Sequence, residues 1–145
     1  MTIKKNKLKI ACIQTRSQPD INKNLKKIEK LINTAIKKGA ELIATPENSN
    51  IMHKNKDALL EACSNEDNAN FLSRIKAIAK TNSVWILLGS IIVKHSKRKL
   101  MNRSYLINNK GLVLAEYNKI HMFDVNLSNK EIYNESKLYL SLIHI

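Results

Sequence analysis

The chain has 145 residues, 43% hydrophobic and 26% charged, a balance that suits one modest globular domain with its own core. No apolar run approaches the ~20 residues that a membrane-spanning helix needs, and the basic start MTIKKNKLKIACIQT is interrupted at Gln14, so it reads as a first strand rather than a secretory signal. A net charge of +13 raises nucleic acid as a partner, but the lysines are spread along the whole chain, aromatics are few, and Arg16, Arg74, Arg98 and Arg103 are the only arginines; the expectation is a solvated basic surface, with no nucleic acid and no membrane as partner.

Strands and helices alternate along the chain. Leu8 to Thr15 is rich in strand formers and alternates. Asp20 is placed as the N-cap of a helix whose stripe is Ile21, Leu25, Ile28, Ile32, Ala35 and Ile36, with Gly39 as its stop. ELIATPE reads as a short buried strand ended by Pro46, followed by a looser segment from Asn48 to about Asn55. NFLSRIKAIAKT predicts a helix with Phe71, Leu72, Ile75, Ile78 and Ala79 inward, and Ser83 to Gly89 a strand that ends at the glycine. RSYLI and GLVLAEY are joined by Asn108-Asn109-Lys110-Gly111, a hairpin signal. No repeat or linker interrupts the pattern, which predicts one α/β layered domain with a mixed sheet.

EYNKIHMFD, residues 116–124, is unusual. Taken as a strand, it places Tyr117, Lys119, His121 and Phe123 on one face. Glu47 is the other candidate, directly after Pro46 at the carboxyl end of an apolar strand, the edge where ligands usually bind in layered α/β folds. Beside an apolar core such a carboxylate is a candidate general base, and a fixed ammonium at Lys119 could stabilise an oxyanion. Alone, each reads more simply as a solvated strand exit and an edge charge.

Together, TPE after a helix–Gly-Ala–strand unit, LLGS, NRSYLINNKGLVLAEY and YNKIHMFDV resemble the carbon–nitrogen hydrolase (nitrilase) superfamily over about Ile10 to Lys137, closest to the ω-amidase and deaminated-glutathione amidase branch. The resemblance implies the N-terminal part of an α-β-β-α sandwich that hydrolyses the carbon–nitrogen bond of a small amide through a Glu-Lys-Cys triad. Glu47 matches the family's general base, Lys119 its oxyanion cation, and Glu135 in YNESK its supporting glutamate, with Tyr117 and His121 in secondary support. It implies no metal, no organic cofactor, and a homodimer or higher oligomer at full length.

The nucleophile is expected to be absent from the chain, because the family's cysteine lies beyond the lysine in a Gly-x-x-Ile-Cys-Tyr type of turn. Cys12 is mid-strand in an apolar context, and Cys63 in EACSNED has acidic neighbours; both read as reduced thiols of a cytoplasmic protein. Residues 1–137 are therefore expected to be a partial domain, inactive alone, and 138–145 a non-family, artefactual tail. Kept open are a basic nucleic-acid-binding module, a regulatory pseudoenzyme, and, within the family, nitrilase or N-carbamoyl amidohydrolase activity.

Overall fold

The computed structural model describes residues 7–128 and 131–139. Its first three strands, β1 (Ile10–Cys12), β2 (Leu42–Ala44) and β3 (Trp85–Lys94), pair in parallel and are linked through α1 (Ile21–Lys37), α2 (Lys56–Ala62) and α3 (Glu66–Asn82). β4 (Leu100–Ile107) and β5 (Val113–Asn118) then add antiparallel, giving the sheet order β1-β2-β3-β4-β5. A separate two-stranded ribbon, β6 (Asp124–Ser128) with β7 (Glu131–Asn134), runs into a 3-10 turn at Glu135–Lys137. The mixed α/β layer anticipated from the hairpin signal is what forms.

α1 forms where the apolar stripe predicts. Asp20 caps it by accepting from Lys23 N at 2.9 Å, and Gly39 leaves it at φ +80. Ile21, Leu25, Ile28, Ile32 and Ala35 are buried in the same core as Phe71, Ile75 and Ala79 of α3 and Ile43, Ile86 and Ile107 of the sheet. Ile43, Ile86 and Ile107 lie side by side across three strands and are all fully buried, so this sheet face carries the helices. On the opposite face, Ile10 and Leu87 are 54% and 40% exposed, and Cys12 and Tyr117 are exposed as well. One face of the sheet is thus packed and the other is open.

Several boundaries differ from the sequence reading. β1 covers three residues of the eight expected, and α3 starts four residues before Asn70. α2, capped by Asn55, follows the segment read as looser and occupies a stretch that the sequence reading left unassigned. β3 does not stop at Gly89: it continues to Lys94 through an irregularity between Leu88 and Ile91. A Cβ on Gly89 would sit 2.0 Å from Thr45 O and 2.8 Å from Pro46 O, so the glycine marks a close approach of two backbones, not a strand end. Residues 116–124 are not one strand either, since β5 ends at Asn118. Of the tail from residue 138, Leu138 and Tyr139 are buried, and Leu100 N donates to Leu138 O; residues 140–145 lie outside the described residues.

Candidate active site

The loop after β2 is fastened to β3 before it presents any function. Ser90 N donates to Pro46 O, Ser49 N to Ser90 O, and Asn48 N to the Ser90 hydroxyl at 2.9 Å. Gly89 N donates to Thr45 Oγ1, and the Ser104 hydroxyl to Gly89 O. Further along, the fully buried Asn50 copies a strand partner: its amide accepts from Ile92 N at 2.9 Å and donates to Ile92 O at 2.9 Å. Asn68 of α3 supports it from behind, accepting from Asn50 Nδ2 at 2.6 Å. Asn48 itself takes a left-handed φ of +52, a conformation that asparagine tolerates better than most residues. The segment read as looser is therefore a hydrogen-bonded loop, and Glu47 stands on it.

Lys119 comes from the other side. The β4–β5 ladder continues one residue past β5, with Lys119 N donating to Asn102 O at 2.8 Å. The chain then leaves the sheet, and the Lys119 ammonium donates to Glu47 Oε1 at 2.9 Å and to Glu135 Oε2 at 3.0 Å. Glu135 is fixed in turn by Phe123 N, which donates to Oε2 at 2.9 Å. Three residues chosen from the sequence, Glu47, Lys119 and Glu135, thus meet as one ion-paired cluster. The other two do not join it: Tyr117 and His121 are exposed and make no hydrogen bond to Lys119 among the described residues.

Burial alone would lower the Lys119 pKa, but the hydrogen bonds and charges of Glu47 and Glu135 outweigh it and hold the ammonium above the ordinary lysine value. Glu47 is less enclosed than a desolvated base would be, for its side chain is 54% exposed against 27% for Lys119 and 24% for Glu135. A groove lined by Thr15, Arg16, Ser17, Pro19, Asn48, Met52 and Lys54 opens beside Glu47, giving a small molecule access to the carboxylate. Cys12 is exposed on β1. Cys63 is buried after α2, which pushes its thiol pKa up to about 12 and keeps it protonated at neutral pH.

Sequence reasoning missed Asn102. It is 4% exposed, and its Nδ2 donates to Glu47 Oε1 at 2.7 Å and to Asn48 Oδ1 at 3.1 Å. The signal was present in NRSYLI, but in a chain so rich in asparagine a single one carries little weight.

Residues 9–141 match the family model described as carbon-nitrogen hydrolase, which is most of the chain. The chain belongs to the carbon-nitrogen hydrolase family. Among curated carbon-nitrogen hydrolases it is 33% identical over 128 residues to the deaminated glutathione amidase of Synechocystis sp., covering 87% of this chain and 46% of that protein. To nitrilase homolog 2 of Dictyostelium discoideum it is 30% identical over 138 residues, covering 94% and 42%. The crystal structure of the C. elegans NitFhit protein superposes with a TM-score of 0.82 at 25% identity, covering 91% of this chain and 32% of that one. The chain spans about half the length of the curated relatives it matches. The resemblance read from the TPE and Tyr-x-Lys-x-His motifs is borne out in family and in fold.

Proposed function

We propose that the chain supplies the acid–base and electrostatic part of a site that hydrolyses the carbon–nitrogen bond of a small amide. The observation that carries this reading is the contact of Lys119 with both Glu47 and Glu135, from three separate parts of the chain. The match to a deaminated glutathione amidase supports an amide as the substrate and a place in the ω-amidase-like branch.

In this reading a thiol gives its proton to Glu47, the thiolate so formed attacks the amide carbon, and Glu47 hands the proton to the nitrogen as the carbon–nitrogen bond breaks and ammonia leaves. Lys119 holds the negative oxygen of the tetrahedral intermediate, and Glu135 keeps the ammonium aimed. Water activated by Glu47 then attacks the thioester, releasing the acid and restoring the thiol. The thiol is not Cys63, whose burial keeps it protonated. The thiol this reading invokes is the family's cysteine, which the resemblance puts beyond Lys119, and neither Cys12 nor Cys63 is assigned that part. The chemistry invokes no metal and no organic cofactor. The protein acts in the cytoplasm as a homodimer or higher oligomer.

Ammonia release by the longest polypeptide the gene encodes, offered short amides and the matching nitriles and N-carbamoyl compounds, tests the reading. Amides turned over fastest support it. Turnover of nitriles alone moves the protein to a different activity of the family. A salt-sensitive complex with nucleic acid, without amide turnover, favours the basic binding module instead.

A further inference from the structure

We propose that Asn102 is a positioning residue that sets the reach of Glu47 and Lys119 together; the inference rests on the roles just given to those two groups. Asn102 sits inside β4, opposite Ile92 of β3, and is almost wholly buried. Its contacts divide between both halves of the site. The side-chain amide donates to Glu47 Oε1 at 2.7 Å and to Asn48 Oδ1 at 3.1 Å, while the backbone carbonyl of Asn102 accepts from Lys119 N at 2.8 Å. Chemistry dictates the orientation of the amide, because an ionised carboxylate only accepts and the NH₂ end must face it.

The arrangement has a consequence for Glu47. Oε1 receives two donors, the Asn102 amide and the Lys119 ammonium, which leaves Oε2 as the oxygen to take a proton from a nucleophile. An ammonium on a flexible four-carbon stem cannot fix a carboxylate by itself. A short amide on a central strand can, because its own position is locked by the ladder on both sides. The same strand position registers the Lys119 backbone, so the two groups share one rigid reference. The charged groups that face Lys119 are Glu47 from the loop after β2 and Glu135 from the 3-10 turn; the Tyr139 phenol, its pKa raised by burial and by both carboxylates, lies within their field.

The test follows the Lys119 ammonium by NMR in the longest polypeptide the gene encodes, labelled at its lysine side chains, as pH is raised, beside steady-state ammonia release. The proteins are wild type, Asn102→Ala, Asn102→Leu and Glu47→Gln. Asn102→Leu keeps the branched shape, fills the space that alanine would leave and removes the amide, so it reports if the alanine variant fails to fold. With Asn102 gone, Glu47 is no longer held against the ammonium. Lys119 then titrates at lower pH than in wild type, part of the way toward Glu47→Gln, and kcat falls on the order of 10²-fold with KM unchanged. A folded variant whose Lys119 titrates as in wild type overturns the proposal, even if kcat drops, because a general loosening of the sheet would do that. Full activity in Glu47→Gln counts against the base assignment alone, since the Lys119 titration still reads whether Asn102 holds Glu47.

Discussion

Lys119 and Glu47 are 72 residues apart in the chain and 2.9 Å apart at their charged atoms. What joins them is a loop bonded to β3 on one side and a ladder bond to β4 on the other. Glu135 completes the cluster 3.0 Å from the same ammonium. A cation between two carboxylates neutralises the repulsion that would otherwise push them apart, so each group depends on the other two.

This dependence has a pH signature. The Lys119 pKa is raised in the fold, so the stability it contributes is complete below the ordinary lysine value of 10.5 and is lost as pH rises through the folded value. Wild type should exceed Lys119→Met by about 1 kcal/mol at neutral pH, a small figure because the half-exposed Glu47 is screened by solvent. The gap should close above pH 10.5. Urea unfolding of both proteins at stepped pH measures it, and a gap that widens on the alkaline side contradicts the ion pair.

Gly89→Ala should act on the site from a distance. The added methyl has no room against Thr45 O and Pro46 O, so the loop bearing Glu47 must move away from β3. Overpacking of this kind costs about 1–3 kcal/mol. A calorimetric melt should show the loss of stability, and amide turnover by the longest polypeptide the gene encodes should fall with it. A melt at the wild-type temperature would mean that the two backbones do not meet as described.

The two thiols should separate cleanly. Iodoacetamide near neutral pH should modify the exposed Cys12 and leave Cys63 untouched until denaturant is added. Mass spectrometry of the digested protein reads both sites. Rapid labelling of Cys63 in the folded protein would reopen it as a nucleophile.

What the sequence showed well was what repeats. The stripe of α1, its Asp20 cap and the Asn-Lys-Gly turn before β5 are local signals, and each formed where expected. Glu47 and Lys119 stood out as separate candidates from their local sequence, but Glu135 and the joining of the three into one site came from the family resemblance; no periodicity brings residues so far apart in sequence together. Residues 119–123 alternate like a strand, yet they leave the sheet so that the Lys119 side chain reaches Glu47 and Phe123 N reaches Glu135. The asparagines were the largest omission. Asn24, Asn50, Asn68 and Asn102 look like compositional background, but all four are buried and hydrogen-bonded, and all four tie the Glu47 loop to the helices or the sheet. Burial of an amide depends on which backbone groups lie opposite, and that is a property of the fold.

The most direct test is the rate of ammonia release from a short amide by the longest polypeptide the gene encodes, compared with its Glu47→Gln, Lys119→Ala and Lys119→Arg variants. Glu47→Gln keeps the shape of the base and removes its proton affinity, so turnover should fall by roughly 10²–10⁴-fold. Lys119→Ala should fall on a similar scale, and Lys119→Arg should not recover it, because a planar guanidinium cannot take the place of a compact ammonium between two carboxylates. Wild-type turnover in Glu47→Gln or in Lys119→Ala would contradict the assignment.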